Sequence, residues 1–160
     1  MIFKSITIGQ AGMTEEFIDG GLGANNPIEQ VLNQAYEQFD PSDRISCILS
    51  IGTGKLKPAK YKPGYIPSAL VDTLVKISTN CEQIEQKVAR QFESISDVYF
   101  RFNVEQGLQD VALDDWNRLG EVVTLTESYL REVDNLKKLK AVAKALHMPQ
   151  GCMTISQLRA

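Results

Sequence analysis

The stretch Phe17-Ile18-Asp19-Gly20-Gly21-Leu22-Gly23-Ala24-Asn25-Asn26-Pro27 leaves the chain few ways to fold. Phe17 and Ile18 suit the end of a buried strand, and Asp19 then stands where that strand stops. Gly20, Gly21 and Gly23 permit backbone angles that side chains forbid, so a sharp turn fits beside Asp19. Asn26 is a good helix N-cap, Pro27 suits the first helical position, and Glu29 follows the cap by three residues. The stretch reads strand, tight turn, helix. In open α/β sheets chemistry gathers at the carboxyl ends of strands, which makes Asp19 a candidate catalytic carboxylate. The plain alternative is that Asp-Gly is a common turn pair.

The flanking pattern extends this reading. Ile2 to Ile8 alternates along a strand, and Gly9 to Glu16 reads as a turn or short loop. Ile28, Val31, Leu32, Ala35, Tyr36 and Phe39 recur at helical spacing, and Asp40-Pro41 closes that helix. Ile45 to Ile51 is a near-continuous apolar run, as in a strand covered on both faces, and it stops at Gly52-Thr53-Gly54. Strand, helix and strand make one βαβ unit with a right-handed crossover. That places the Asp19 tip and the Gly52-Thr53-Gly54 tip on one edge of the sheet.

Lys55 to Pro67 carries Lys55, Lys57, Lys60 and Lys62 with Tyr61 and Tyr65. It reads as a solvated connection or as a flap meeting anionic lipid headgroups, at about 1 kcal/mol for each lysine. A long helix is expected from Ser68 to Glu93, with Leu70, Leu74, Ile77, Cys81, Ile84 and Val88 as its core stripe. Val98, Phe100, Phe102 and Val104 alternate with polar residues along a half-exposed strand, and Arg101 is expected to face solvent. Asp114 or Asp115 caps a helix bearing Trp116, Leu119, Val122, Val123, Tyr129, Leu130 and Val133. A second helix carries Leu136, Leu139, Val142, Ala143 and Leu146. His147 in its last turn suits the helix dipole. Residues 149–160 read as a flexible tail.

The composition excludes some functions. A formal net charge of -3 over 160 residues argues against a nucleic-acid binder. No apolar run approaches the ~20 residues of a membrane span, and the first residues lack the pattern of a signal peptide. Cys47, Cys81 and Cys152 are odd in number and widely spaced, as in a reducing, cytoplasmic setting. The single His147 and the lack of Cys-x-x-Cys do not build a metal site, and no cofactor is expected.

Four chemical patterns can be compared with the text of the chain. Gly21-x-Gly23-x-x-Asn26 approaches a dinucleotide-binding turn, but Asn26 replaces the last glycine and the next strand ends without an acidic residue. Gly52-Thr53-Gly54-Lys55 lacks phosphate-loop spacing. His147 is the one candidate base for a histidine triad. No serine stands in Gly-x-Ser-x-Gly; Ser50-Ile51-Gly52-Thr53-Gly54 is the nearest text, in a different order.

Phe17-Ile18-Asp19-Gly20-Gly21, running into Asn25-Asn26-Pro27, with Ser50-Ile51-Gly52-Thr53-Gly54 downstream, resembles the patatin-like phospholipase family. Leu113-Asp114-Asp115-Trp116 and Thr126-Glu127-Ser128-Tyr129-Leu130 look like the helical part of the same domain. The resemblance implies a lipid acyl hydrolase using a serine–aspartate dyad, with Asp19 at the aspartate position. A carboxylate in hydrogen-bond reach can orient the serine hydroxyl and accept its proton, and the acyl-enzyme is then hydrolysed by water. It also implies a three-layer α/β/α fold: a mostly parallel sheet flanked by helices, here incomplete, ending in a helical part. Residues 1–148 correspond to the C-terminal portion of the domain. The family's glycine-rich oxyanion loop and Gly-x-Ser-x-Gly elbow precede the aspartate, and neither is in this chain. The expected partners are therefore a lipid or acyl-ester substrate, the N-terminal half of the same domain, and a peripheral membrane surface. The remaining sheet is expected to show an unpaired edge and an apolar face. A non-catalytic interaction module and, more distantly, a dinucleotide-binding domain are the alternatives.

Overall fold

The computed structural model describes residues 5–10, 12–17, 20, 24–54, 68–108, 111, 115–147 and 150–159, with residues 68–79 and 159 described by backbone alone. It is an α/β structure with small sheets. β1 (Ile6–Gln10) and β2 (Met13–Phe17) form an antiparallel hairpin. α1 (Ile28–Gln38) follows, then β3 (Arg44–Ile45) and β4 (Ile48–Ile51). α2 (Ser68–Gln91) leads to β5 (Tyr99–Phe102). A short 3-10 turn (Trp116–Arg118) opens α3 (Leu119–Arg131), and α4 (Val133–Leu146) follows at once. β6 (Met153–Thr154) and a 3-10 segment (Ile155–Arg159) end the description.

Three two-stranded ladders exist among the described residues, and one of them is parallel. β4 pairs with β5 in parallel, from Ile48 opposite Tyr99 to Ile51 opposite Phe102. Parallel neighbours need a long crossover rather than a tight turn, and α2 lies between these two strands in sequence. The side-chain period of two sends β5 residues alternately to each face. Ile48 and Tyr99 face a core built with Ile28 and Leu32 of α1, Ile84 and Val88 of α2, Phe92, Val98, Met153, Ile155 and Leu158. Phe100 and Phe102 pack on the other side with Val142 of α4, joined by Cys47, Tyr129 and Leu130. Val98 is fully buried and Val88 and Met153 are 1% exposed, so the first cluster is the denser core.

Several expectations change. The segment Gly9 to Glu16 is not a loop: Met13 to Glu16 lie in β2, and Phe17 is 47% exposed instead of closing a buried strand. The hairpin register puts Ile6, Ile8, Met13 and Phe17 on one face, and that face has no cover among the described residues. β2 pairs with β1 and not with β4, so the expected βαβ unit through α1 is replaced by one through α2. Ile45 to Ile51 is broken at Ser46-Cys47, because β3 turns to pair antiparallel with β6 while β4 pairs with β5. Arg101 does not face solvent: its side chain is 15% exposed.

The largest correction is at the carboxyl end. The expected flexible tail contains β6, and Met153, Ile155 and Leu158 are 1%, 3% and 2% exposed. The cause is a short, well-satisfied docking. The Cys152 amide donates to the Ile45 carbonyl at 2.8 Å and the Ile155 amide to the Asp43 carbonyl at 2.9 Å. Arg44 Nε donates to the Gly151 carbonyl at 2.8 Å. Conversely, α3 buries no residue, and Trp116, Leu119 and Val123 are 80%, 59% and 55% exposed. Asp115 makes no capping hydrogen bond, and Asp114 lies outside the described residues. The lysine-bearing loop 55–67 and the side chains of Leu70, Leu74 and Ile77 also lie outside them.

Met153→Ala tests this arrangement. Truncating a buried methionine costs about 2–5 kcal/mol. The urea midpoint should fall accordingly, whereas Met13→Ala, at a side chain 79% exposed, should shift stability by no more than about 0.5 kcal/mol.

Candidate functional site

The described part of the candidate site is the carboxyl tip of β4. Gly52, Thr53 and Gly54 leave the ladder there, with the Gly52 amide still donating to the Phe102 carbonyl at 2.8 Å. Asn103, the residue after β5, accepts from the Gly54 amide through Oδ1 at 2.8 Å. The Asn103 amide in turn donates to the Tyr129 hydroxyl at 3.2 Å, tying this corner to α3. Gly54 has φ +108°, a conformation that favours glycine, and a Cβ there would meet Leu108 and the Val104 carbonyl. A Cβ on Gly52 would collide with the Asn103 carboxamide and come 2.6 Å from the Arg101 guanidinium. Gly54 is thus favoured by its backbone angle, Gly52 abuts the Asn103 and Arg101 side chains, and Thr53 is exposed between them.

Beneath this tip lies a polar cluster. Arg101 donates from a terminal guanidinium nitrogen to Ser50 Oγ at 2.7 Å, with Ser50 only 7% exposed. Arg101 Nε stands 3.8 Å from a Glu85 carboxylate oxygen on α2. Tyr99 lies on the same face, and its hydroxyl is buried without a partner at hydrogen-bonding geometry. Burial pushes the Tyr99 phenol above its ordinary value. The Arg101 charge opposes that shift, Glu85 adds to it, and the nearby Ser50 hydroxyl opposes it least. An arginine between a serine and a glutamate keeps its charge partnered in a part-buried position.

The glycine-rich turn is described only at its ends. Asp19, Gly21 and Gly23 lie outside the described residues. The Gly20 carbonyl accepts from the Ala24 amide at 2.7 Å, ahead of α1. Asn26 is not an N-cap: Pro27 holds that position, with no side-chain cap. Asn26 is instead 3% exposed and its Nδ2 donates to the Cys81 carbonyl at 3.3 Å, while its Oδ1 has no partner. Asn25 Nδ2 reaches Cys81 Sγ at 3.1 Å. The two asparagines therefore pin the approach to α1 against α2. The structure brings Gly52, Thr53 and Gly54 together with Arg101 and Asn103, two residues that sequence reasoning passed over. Apolar–polar alternation alone reads the Arg101 and Asn103 face as solvated, so their placement follows only from the strand pairing.

His147 ends α4, with Nδ1 2.7 Å from the Ala143 carbonyl, a helix-terminal contact. Among the described residues no group of three or more metal-ligating side chains converges, and no helix is long and apolar enough to cross a membrane. Two shallow grooves lie away from the β4 tip. One is lined by Val123, Thr124, Glu127, Ser128 and Arg131, the other by Ala35, Phe39, Asp43, Arg44, Ile45 and Ile155.

No family model matches the chain, and no solved structure matches it. A curated protein, Phospholipase A I of Arabidopsis thaliana, is 25% identical over 137 residues, 82% of this chain. The chain spans 10% of that relative's length.

Gly54→Ala should destabilise the fold by about 1–3 kcal/mol through forced positive φ, read as a lowered urea midpoint. Tyr99 gives a pH signature. The folded chain holds this phenolic proton more tightly than the unfolded chain. The associated stability is present below about pH 10 and is lost as pH rises through the folded value. Denaturation midpoints taken from pH 8 to 11 should decline less steeply for Tyr99→Phe than for the unaltered chain.

Proposed function

We propose that this chain is the aspartate-bearing, C-terminal portion of a patatin-like lipid acyl hydrolase, with Asp19 as the base of a serine–aspartate dyad. The observation that carries the reading is the similarity to Phospholipase A I across 82% of the chain. The β4 tip supports it: a parallel βαβ pair ends in a glycine turn whose backbone is fixed by Asn103. Ligands of open α/β sheets bind outside such carboxyl ends. In this reading β4 and β5 belong to a larger, mostly parallel, three-layer α/β/α sheet. The apolar hairpin face and the exposed Leu49 and Ile51 of β4 are then surfaces for the segment that brings the serine and the oxyanion donors. The substrate is a lipid carboxylic ester. Asp19 accepts the serine proton, and the Lys55–Lys62 loop meets anionic headgroups at the rim.

A division of labour follows. The chain by itself lacks a serine in an elbow and should show neither ester turnover nor covalent labelling by a fluorophosphonate. Joined in frame to the segment that precedes the matching region of Phospholipase A I, it should label at serine and hydrolyse phospholipid vesicles. Asp19→Asn should reduce both by 100-fold or more, the scale of losing a positioned general base at about 10²–10⁴. Labelling of the chain alone, or labelling of the joined protein that ignores Asp19→Asn, would overturn the reading.

A further inference from the structure

α4 carries an apolar line that the fold leaves open. The helix buries Asn135, Val142 and Ala145, and Val142 packs with Phe100 and Phe102 of β5. Of the apolar residues expected to form its packing face, Val142 alone is buried. Leu136, Leu139, Ala143 and Leu146 are all exposed, with Leu146 at 65%. They recur at i, i+3, i+7 and i+10, which sets them in one line along the helix. At the helical rise the line is about 15 Å long.

A cationic line runs beside it. Lys137, Lys140 and Lys144 each follow one of these residues by one position, so they repeat the spacing about 100° further round the helix. All three are exposed. Lys137 pairs with Asp134 at 3.2 Å, and Lys140 and Lys144 make no ion pair among the described residues. With Lys138, α4 holds four lysines against one acidic residue, Asp134, in a chain of net charge -3. α1, α2 and α3 each carry at least as many acidic as basic residues.

This pairing of lines selects a partner. Leucines flanked by lysines suit a helix lying in the plane of a lipid surface, with the apolar side among acyl chains. The lysine stems run along that surface and hold their ammonium groups at headgroup level. A groove in an acidic protein closes around a helix. α4 is held on the sheet by Val142 and offers its outer flank, which suits a plane better than a groove. We propose that α4 docks this chain on an anionic phospholipid bilayer, with Leu136, Leu139, Ala143 and Leu146 at the acyl chains and Lys137, Lys140 and Lys144 on the headgroups. The concentration of lysines on one helix of an acidic chain then orients the molecule on the surface. This docking does not depend on ester hydrolysis, and binding measured without turnover reads it apart from the acyl hydrolase reading.

The test is flotation of the full chain with vesicles. It should float with mixed phosphatidylserine and phosphatidylcholine vesicles, less as salt is raised, and far less with phosphatidylcholine alone. Lys137→Gln, Lys140→Gln and Lys144→Gln together should weaken binding about 100-fold, at roughly fivefold per lysine. Leu136→Gln, Leu139→Gln and Leu146→Gln together should weaken it by about tenfold or more, with helix content unchanged by circular dichroism. Trp116→Phe removes the one native indole. In that background the indole introduced by Leu139→Trp should be quenched by phosphatidylcholine brominated on its acyl chains, supplied in the mixed vesicles. Several results would overturn the proposal: no flotation, equal binding to phosphatidylcholine alone, an unquenched Leu139→Trp indole, or tighter binding to poly-glutamate than to the mixed vesicles. So would binding that ignores the α4 changes but is lost with Lys57→Gln, Lys60→Gln and Lys62→Gln.

Discussion

The parallel ladder between β4 and β5 is the constraint on which the rest of the structure depends. Parallel strands cannot be joined by a tight turn, so the chain must travel through α2 before β5 can lie beside β4. That detour buries both faces of β5. Ile84 and Val88 come with α2 to one face, and Val142 comes with α4 to the other. Neither cluster closes from neighbours in sequence. Met153, Ile155 and Leu158 must return from the carboxyl end to complete the first, and the β3–β6 pairing brings them.

The same ladder organises the polar chemistry. Its carboxyl end releases Gly52 to Gly54, and the residue that follows β5, Asn103, is thereby at hand to hold the Gly54 amide. One position earlier on the same face, Arg101 is placed between Ser50 and Glu85. The Asn103 acceptor restrains a turn that its two glycines would otherwise leave free. The tip so held leaves Thr53 exposed at the end of the ladder.

Periodicity made the helices and β5 legible. The stripe of α2 places Ile84 and Val88 correctly, and the alternation of Val98, Phe100, Phe102 and Val104 marks a strand whose four apolar residues are all buried. Partner choice was not legible. Ile45 to Ile51 looks continuous, but Ser46-Cys47 divides it between two ladders, which local pattern cannot reveal. Arg101 looked like a surface residue because its partners, the buried Ser50 and the part-exposed Glu85, are distant in sequence. Residues 151–158 looked like a tail because they are short and lack a long period, yet three apolar side chains, two backbone hydrogen bonds and one from the Arg44 side chain dock them. Thr53 and its flanking glycines were placed at the sheet edge from sequence, while Asn103, which holds the Gly54 amide, was not. An acceptor for a loop amide is visible only once the strands are paired.

Native-state amide hydrogen exchange followed residue by residue tests the central claim most directly. If the β4–β5 ladder and the returning C-terminal segment form one cooperative unit, the amides of Ile48, Gly52, Cys152 and Ile155 should open with a common, high free energy. Those of the Ile6–Phe17 hairpin should exchange far faster. Rapid exchange at Cys152 and Ile155 beside a protected ladder, or a hairpin as protected as the ladder, would contradict it.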